Sequence, residues 1–327
     1  MEDVAGTHLH PLRFRPVYKD YLWGGIRLRE VYGRRLPGPV IAESWEIADR
    51  PEGMSRVADG PFAGRTLDRL VADLGVDLVG TEAPAGRFPL LFKIIDARER
   101  LSVQVHPDER TASLTGGDAK TEMWVVLPGS SPSGVHVGLA PGVNRATFAR
   151  ARRTGAWDGV IQHLPAALGD AILVPGGQVH AIEAGCFLYE IQQNSDTTFR
   201  VWDWGRVGPD GRARELHLDQ AMAAIAWEER AGGRLAPHTL ETTPSGRREL
   251  LHAGHPFRVE RLVLAGTWEG ATDGTSFHVL FVARGRARAG DVELPPGSSC
   301  LIPAGLGPYP LASVGEEGAE ILITALG

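Results

Sequence analysis

The sequence predicts a mainly β protein: two β-sandwich modules with a few decorating helices. Its apolar runs are short. Residues 89–95, 101–105, 123–127, 171–174, 187–192, 199–204, 257–264, 277–282 and 299–303 form stretches of four to eight residues rich in β-formers. Glycine and proline, with 41 and 23 copies in 327 residues, punctuate them in the rhythm of a sandwich or barrel and not of a doubly wound sheet. The third observation is a weak internal repeat, in which Gly169-x5-Pro175-x-Gly177 recurs as Gly297-x5-Pro303-x-Gly305. Five residues past the proline the first copy has His180 and the second Pro308, whose side chain offers no ligand atom. Two related modules follow, and the first alone carries a site.

Helical patterns are few. Leu67, Leu70, Val71, Leu74 and Leu78 recur at helical spacing within 66–79; 147–163 reads as two short helices broken at Thr154-Gly155, and 218–227 as a third helix with Asp219 near its start. The stretch 228–248, rich in Gly, Pro, Thr and Arg, reads as a connection. The expected division is therefore a site-bearing module with helical decorations over 1–230, a linker over 231–248 and a metal-free module over 249–327.

Composition excludes several classes of function. A hydrophobic share of 43% and a charged share of 23% are those of an ordinary globular protein. A net charge of −6 argues against nucleic-acid binding, so any phosphate has to be met by local cations. No signal-type or membrane-length apolar run is present. Cys186 and Cys300 have no metal-type spacing, which points to a reducing, cytoplasmic setting. Among 34 basic residues only Lys19, Lys93 and Lys120 are lysines. Where arginine is otherwise used throughout, a retained lysine suggests a need for a compact amine.

Lys93 and Lys120 flank the most informative stretch, Leu101-Ser102-Val103-Gln104-Val105-His106-Pro107. As a strand it turns Ser102, Gln104 and His106 to one face and Val103 and Val105 to the other. A row of polar side chains on an apolar strand is costly to bury without a task. Further on, Gly169, Pro175, Gly177 and His180 fit Gly-x5-Pro-x-Gly-x2-His, a strand, a glycine turn and a returning strand that begins with an inward histidine. This pattern resembles the second motif of the cupin superfamily, whose modules are jelly-roll β-sandwiches. The first cupin motif offers His-x-His and a later Glu; here the pair is Gln104-x-His106 and the Glu is delayed to Glu122 by a polar insertion at 108–119. Gln104, His106, Glu122 and His180 make a four-ligand set of nitrogen and oxygen donors for one divalent ion, with zinc, iron, manganese and nickel all compatible.

Several motifs in one order make the resemblance specific. Phe92-Lys93-Ile94-Ile95-Asp96-Ala97, the 101–107 stretch, Lys120-Thr121-Glu122-Met123-Trp124 and Gly176-Gly177-Gln178-Val179-His180-Ala181 are similar to type I mannose-6-phosphate isomerase in its short bacterial form. So are Leu22-Trp23-Gly24-Gly25, Glu43-Ser44-Trp45-Glu46-Ile47 and the run from Glu190 to Trp204. The resemblance implies a zinc-dependent aldose–ketose isomerase with one ion per chain, held by Gln104, His106, Glu122 and His180. It implies a catalytic role for Arg200 and a pocket lined by Ser102, Lys120 and Asp196.

The chemistry asks for the same parts. A proton must leave the carbon beside a carbonyl, giving an enediolate, and return to the neighbouring carbon. Cations must stabilise the developing charge, and a base must reach the proton. Arg200 fits the charge stabiliser; Lys120, Asp196 and Arg200 are the candidate catalytic residues, and the choice of base stays open. The phosphate is expected to meet Ser102, Lys120 and arginines from several loops, since no glycine-rich phosphate loop is present. Lys93, in an apolar strand, is expected to support an acidic ligand. The expected partner is a small phosphorylated sugar, with no nucleic acid and no membrane, and the chain is expected to act as a monomer or weak homodimer. The rival readings are a cupin-type non-haem iron oxygenase using His106, Glu122 and His180, and a non-catalytic sugar-binding cupin.

Overall fold

The computed structural model describes residues 8–208, 211–228 and 232–327, so the boundary expected at 230/231 lies outside the described residues. The protein is mainly β, as its short punctuated runs predict. It divides into two compact units, one made of 18–44 and 92–235, the other of the residues up to 17 with 45–91 and 236–327. This differs from a single cut near 230. Strand Leu12–Arg15 pairs with Ser299–Ile302, Leu12 opposite Leu301, and with Arg56–Val57, Phe14 opposite Val57. Pairings across so long a separation leave no local trace in sequence.

The unit of 18–44 and 92–235 holds two sheets. One runs Gly233–Leu235, Ala171–Val174, Glu122–Val126 and Phe187–Gln193, and continues through strand residues 92–96, 43–44 and 18–19 of this unit. The other runs Phe199–Trp202, Val103–Val105, His180–Ile182, Ser133–Leu139, Ile161–Ala166. Trp124, Val126, Ile172 and Val174 of the first share one buried cluster with Val135, Val137 and Ile182 of the second, so the sheets face each other across it. The opposite face of the second sheet presents Val103, Val105, Phe199 and Val201 to Phe148 and Ala151 of helix Arg145–Thr154 and to Ala221 and Ala224 of helix Leu218–Ala224. Each large apolar side chain so buried contributes about 1.5–3 kcal/mol.

Local signals account for most element ends. Asn144 caps helix Arg145–Thr154 by accepting from the N–H groups of Ala146 and Thr147, both at 3.0 Å, and Gly155 ends it at φ 71°. The second helix expected within 147–163 does not form. Residues 155–160 are turn and loop, and strand Ile161–Ala166 follows, pairing with Ser133–Leu139 at the sheet's edge, where Pro165 is tolerated. The helix expected over 66–79 is two, Leu67–Leu74 and Val76–Val79, interrupted at Gly75.

The other unit holds an eight-stranded and a four-stranded sheet, with Leu262, Leu280, Val282, Ile302, Leu311 and Ile321 in one core. The linker expected over 231–248 is largely strand. Gly233–Leu235 pairs with Ala171–Val174, and His238–Thr243 forms a hairpin with Gly246–Gly254. Its polar composition is that of an exposed edge strand, which reads in sequence like a connection. No helix among the described residues is long and apolar enough to cross a membrane.

Candidate active site

The register of the five-stranded sheet builds the site. Gln104 stands opposite His180 on one neighbouring strand and opposite Arg200 on the other, so three side chains line up across the sheet on one face. Val103 and Val105 point the other way, into the helix-covered core. Glu122 comes from the facing sheet, paired with Val174 and Gln192. The insertion at 108–119 is a compact loop containing the short helix Ala112–Thr115, closed by a bond from the Lys120 N–H to the Pro107 carbonyl at 2.9 Å. That closure returns Glu122 to His106 despite the delay in sequence.

His106, Glu122 and His180 are buried, and one ligand atom from each lies within 4.8 Å of the others. His106 Nε2 is 3.4 Å from Glu122 Oε2, His180 Nε2 is 3.3 Å from Glu122 Oε1, and the two rings are 4.7 Å apart. Each imidazole donates its Nδ1–H to a backbone carbonyl, His106 to Thr197 at 2.7 Å and His180 to Gln178 at 2.9 Å. This fixes the tautomer and leaves both Nε2 lone pairs facing the carboxylate. Burial, with Lys120 nearby, pushes the His106 pKa down to about 3; burial also lowers that of His180. Both rings are therefore neutral near pH 7, the form that binds metals. Burial disfavours the Glu122 carboxylate, but Lys120 and the two histidines outweigh it and hold its pKa well below the usual range.

Neither buried oxygen of Glu122 accepts a hydrogen bond of good geometry, although Lys120 Nζ lies 2.8 Å from Oε2. Two lone-pair nitrogens aimed at a buried carboxylate form a donor set suited to a divalent cation. Gln104 adds to it. Its amide nitrogen lies 3.1 Å from His180 Nε2 and its oxygen accepts from Ser102 Oγ at 3.2 Å. A half-turn of the amide presents the oxygen to the same point.

Above these donors opens a cleft of about 350 Å³, within the range of small-molecule pockets. Ser102, Gln104, Lys120, Asp196 and Arg200, all singled out in sequence, line it. Lys120 Nζ is 3.0 Å from His106 Nε2. Arg200 donates to the Glu215 carbonyl at 2.8 Å through Nη1, while its buried Nε has no hydrogen-bond partner among the described residues. Burial, then the nearby Arg214, lowers its pKa from the usual arginine value.

The cleft also contains groups that sequence reasoning missed: Tyr21, Glu43, Glu190 and Arg214. Lys93 forms ion pairs with two acids that are not among the proposed ligands. Its Nζ lies 3.6 Å from Glu43 and 3.3 Å from Glu190, whose other oxygen accepts from Trp124 Nε1 at 3.1 Å. Burial disfavours the Lys93 ammonium, but these two acids prevail and raise its pKa. Burial raises the pKa of Glu190 as well. Burial and Glu43 push the Tyr21 phenol up to about 12. The Leu22-Trp23-Gly24-Gly25 motif has a steric basis: a Cβ on Gly24 would fall 2.6 Å from the Ala42 nitrogen, and one on Gly25 would fall 2.5 Å from the Asp96 carboxylate.

Comparison with known proteins agrees with this geometry. The family model for the type I phosphomannose isomerase catalytic domain matches residues 12–125. The chain is 39% identical over 219 residues to the probable mannose-6-phosphate isomerase GmuF of Bacillus subtilis, a match covering 66% of this chain and 68% of the relative. It is 32% identical over 322 residues to the mannose-6-phosphate isomerase ManA of the same organism, covering 97% of this chain and 99% of the relative. A crystal structure of mannose 6-phosphate isomerase from Bacillus subtilis superposes with a TM-score of 0.85 at 30% identity, over 96% of this chain and 99% of that one. Likeness that runs nearly the whole length of both chains, at this identity, reflects common descent: the protein belongs to the type I phosphomannose isomerase family.

Proposed function

We propose that the protein interconverts mannose 6-phosphate and fructose 6-phosphate, using one zinc ion held by Gln104, His106, Glu122 and His180. The observation that carries the reading is the convergence of His106, Glu122 and His180 beneath a cleft walled by Lys120, Arg200 and Arg214. Zinc bound there would act as a Lewis acid on the sugar's carbonyl and hydroxyl oxygens. Arg200, protonated throughout the working range, stabilises the negative charge that develops as the proton leaves C2. Lys120 and Asp196 are the groups of the cleft to which we assign the transfer of that proton to C1. Ser102 and Arg214 meet the phosphate, with Lys120 and Arg200 adding positive charge to the same cleft. These cations favour an anionic sugar over an oxygenase substrate. A cytoplasmic setting suits the two buried free thiols, Cys186 and Cys300. We place the protein there, acting as a monomer or weak homodimer.

A coupled assay with mannose 6-phosphate is expected to show turnover that a chelator abolishes and zinc restores, with about one ion per chain by elemental analysis. Turnover that survives complete removal of metal would refute the reading. Arg200→Ala should lower kcat by roughly 10²–10³-fold, the cost of removing one donor to a developing anion. Metal content should not change; loss of the ion in this variant would make Arg200 a structural residue.

A further inference from the structure

The second unit contains a cavity of its own, of about 250 Å³. Trp268, Gly270 and Tyr309 of the four-stranded sheet line one side; Arg248, Arg258, Glu260, His278 and Ala325 of the eight-stranded sheet line the other. In the internal repeat Pro308 takes the place of His180, so the ligand atom His180 offers has no counterpart at that position. The interior has nonetheless kept polar groups in defined positions. The Tyr309 hydroxyl and His278 Nδ1 are hydrogen-bonded at 2.7 Å, and His278 Nε2 has no partner among the described residues. Arg258 grips Glu260 Oε1 through Nε at 2.9 Å and Nη2 at 2.7 Å. Arg248 Nε is buried without a hydrogen bond, and its nearest acid, Glu260 Oε2, is 3.6 Å away. Gly270 lets the Tyr309 ring pack against the backbone, since a Cβ there would lie 2.5 Å from that ring.

We infer that this cavity binds one unphosphorylated hexose, separately from the cleft of the first unit. A pyranose offers a flat C–H face and a rim of hydroxyls that both donate and accept. Trp268, with the Arg248 guanidinium 6.0 Å over its ring, supplies an apolar wall for the face. Arg248 and His278 supply donors, and Glu260 and Glu269 supply acceptors, for the rim. The two arginines and two glutamates balance, which gives no preference for an anion. The volume admits one sugar ring and not a chain of them.

Saturation-transfer NMR of the zinc-loaded full chain with D-mannose tests the inference. Binding is expected in the wild type, with affinity falling about tenfold or more in Trp268→Ala, the consequence of losing roughly 1.4 kcal/mol of contact. Ala325→Leu fills the cavity without removing a polar group and should abolish binding while turnover of mannose 6-phosphate stays unchanged; it decides the matter if Trp268→Ala fails to fold. No binding in the wild type, binding that survives both substitutions, or displacement of mannose by inorganic phosphate would each overturn it.

Discussion

Glu122→Gln should leave the protein without useful turnover, roughly 10²–10³-fold or more below wild type, and without a tightly held ion. Glu122 is the only carboxylate of the proposed ligand set, and both its oxygens are buried against the two imidazoles. The amide keeps the shape and removes the charge, so a loss reports electrostatics and not packing. Stability should fall too. Lys120 is buried 2.8 Å from Glu122 Oε2, and an ammonium deprived of its buried counter-charge costs about 3–5 kcal/mol. At about 2–4 °C per kcal/mol, calorimetry should register a drop near 10 °C in metal-free protein. Full ion content and normal turnover in this variant would remove Glu122 from the ligand set.

Lys93→Met should produce the largest loss of stability away from the proposed metal ligands. The substitution keeps length and apolar bulk but leaves Glu43 and Glu190 without the cation they share, at a cost of about 3–5 kcal/mol near neutral pH. The sign of the pH dependence follows. Burial already raises the pKa of Glu190, and losing Lys93 raises it further. Between the ordinary glutamate value and that raised one, the unfolded chain has released its proton while the folded chain still holds it. Folding stability therefore falls as pH rises through the window. Denaturant melts should show a smaller deficit at pH 5 than at pH 8, and a deficit independent of pH would contradict the account. Activity should fall as well, because Glu190 accepts from Trp124, whose ring makes a T-shaped contact with that of His180 at 5.6 Å.

The parts of the site that could be read from sequence are those encoded by local periodicity. Alternation in 101–106 put Gln104 and His106 on one face, and the turn after Pro175 put His180 at the head of a strand; the sheets carry out both instructions. Glu122 was legible only because a polar, glycine-containing insertion can close on itself, as the Lys120–Pro107 bond does. Glu190 and Glu43 were not legible as site residues. Strand Phe187–Gln193 is buried on both faces, so it shows no alternation that would single out an inward acid. Arg214 follows a turn and is set in place by its bond to Asp203 at 2.8 Å, a partner eleven residues away. The helical pattern of 147–163 overruns into strand Ile161–Ala166 because an exposed edge alternates too weakly to outweigh the helical signal before it. The pairing of Leu12–Arg15 with Ser299–Ile302 depends on tertiary contact alone.

Strand Val103–Val105 is only three residues long, yet it bears Gln104 on one side and rests on Phe148, Ala221 and Ile225 on the other. Its tilt is thus decided from behind, by side chains that touch neither ion nor sugar. That gives evolution a remote dial: repacking the helical backing can retune donor spacing by fractions of an ångström while every reacting group is conserved. Relatives with the same chemistry are free to differ in working temperature and in appetite for one metal over another through changes that no inventory of reacting residues would flag.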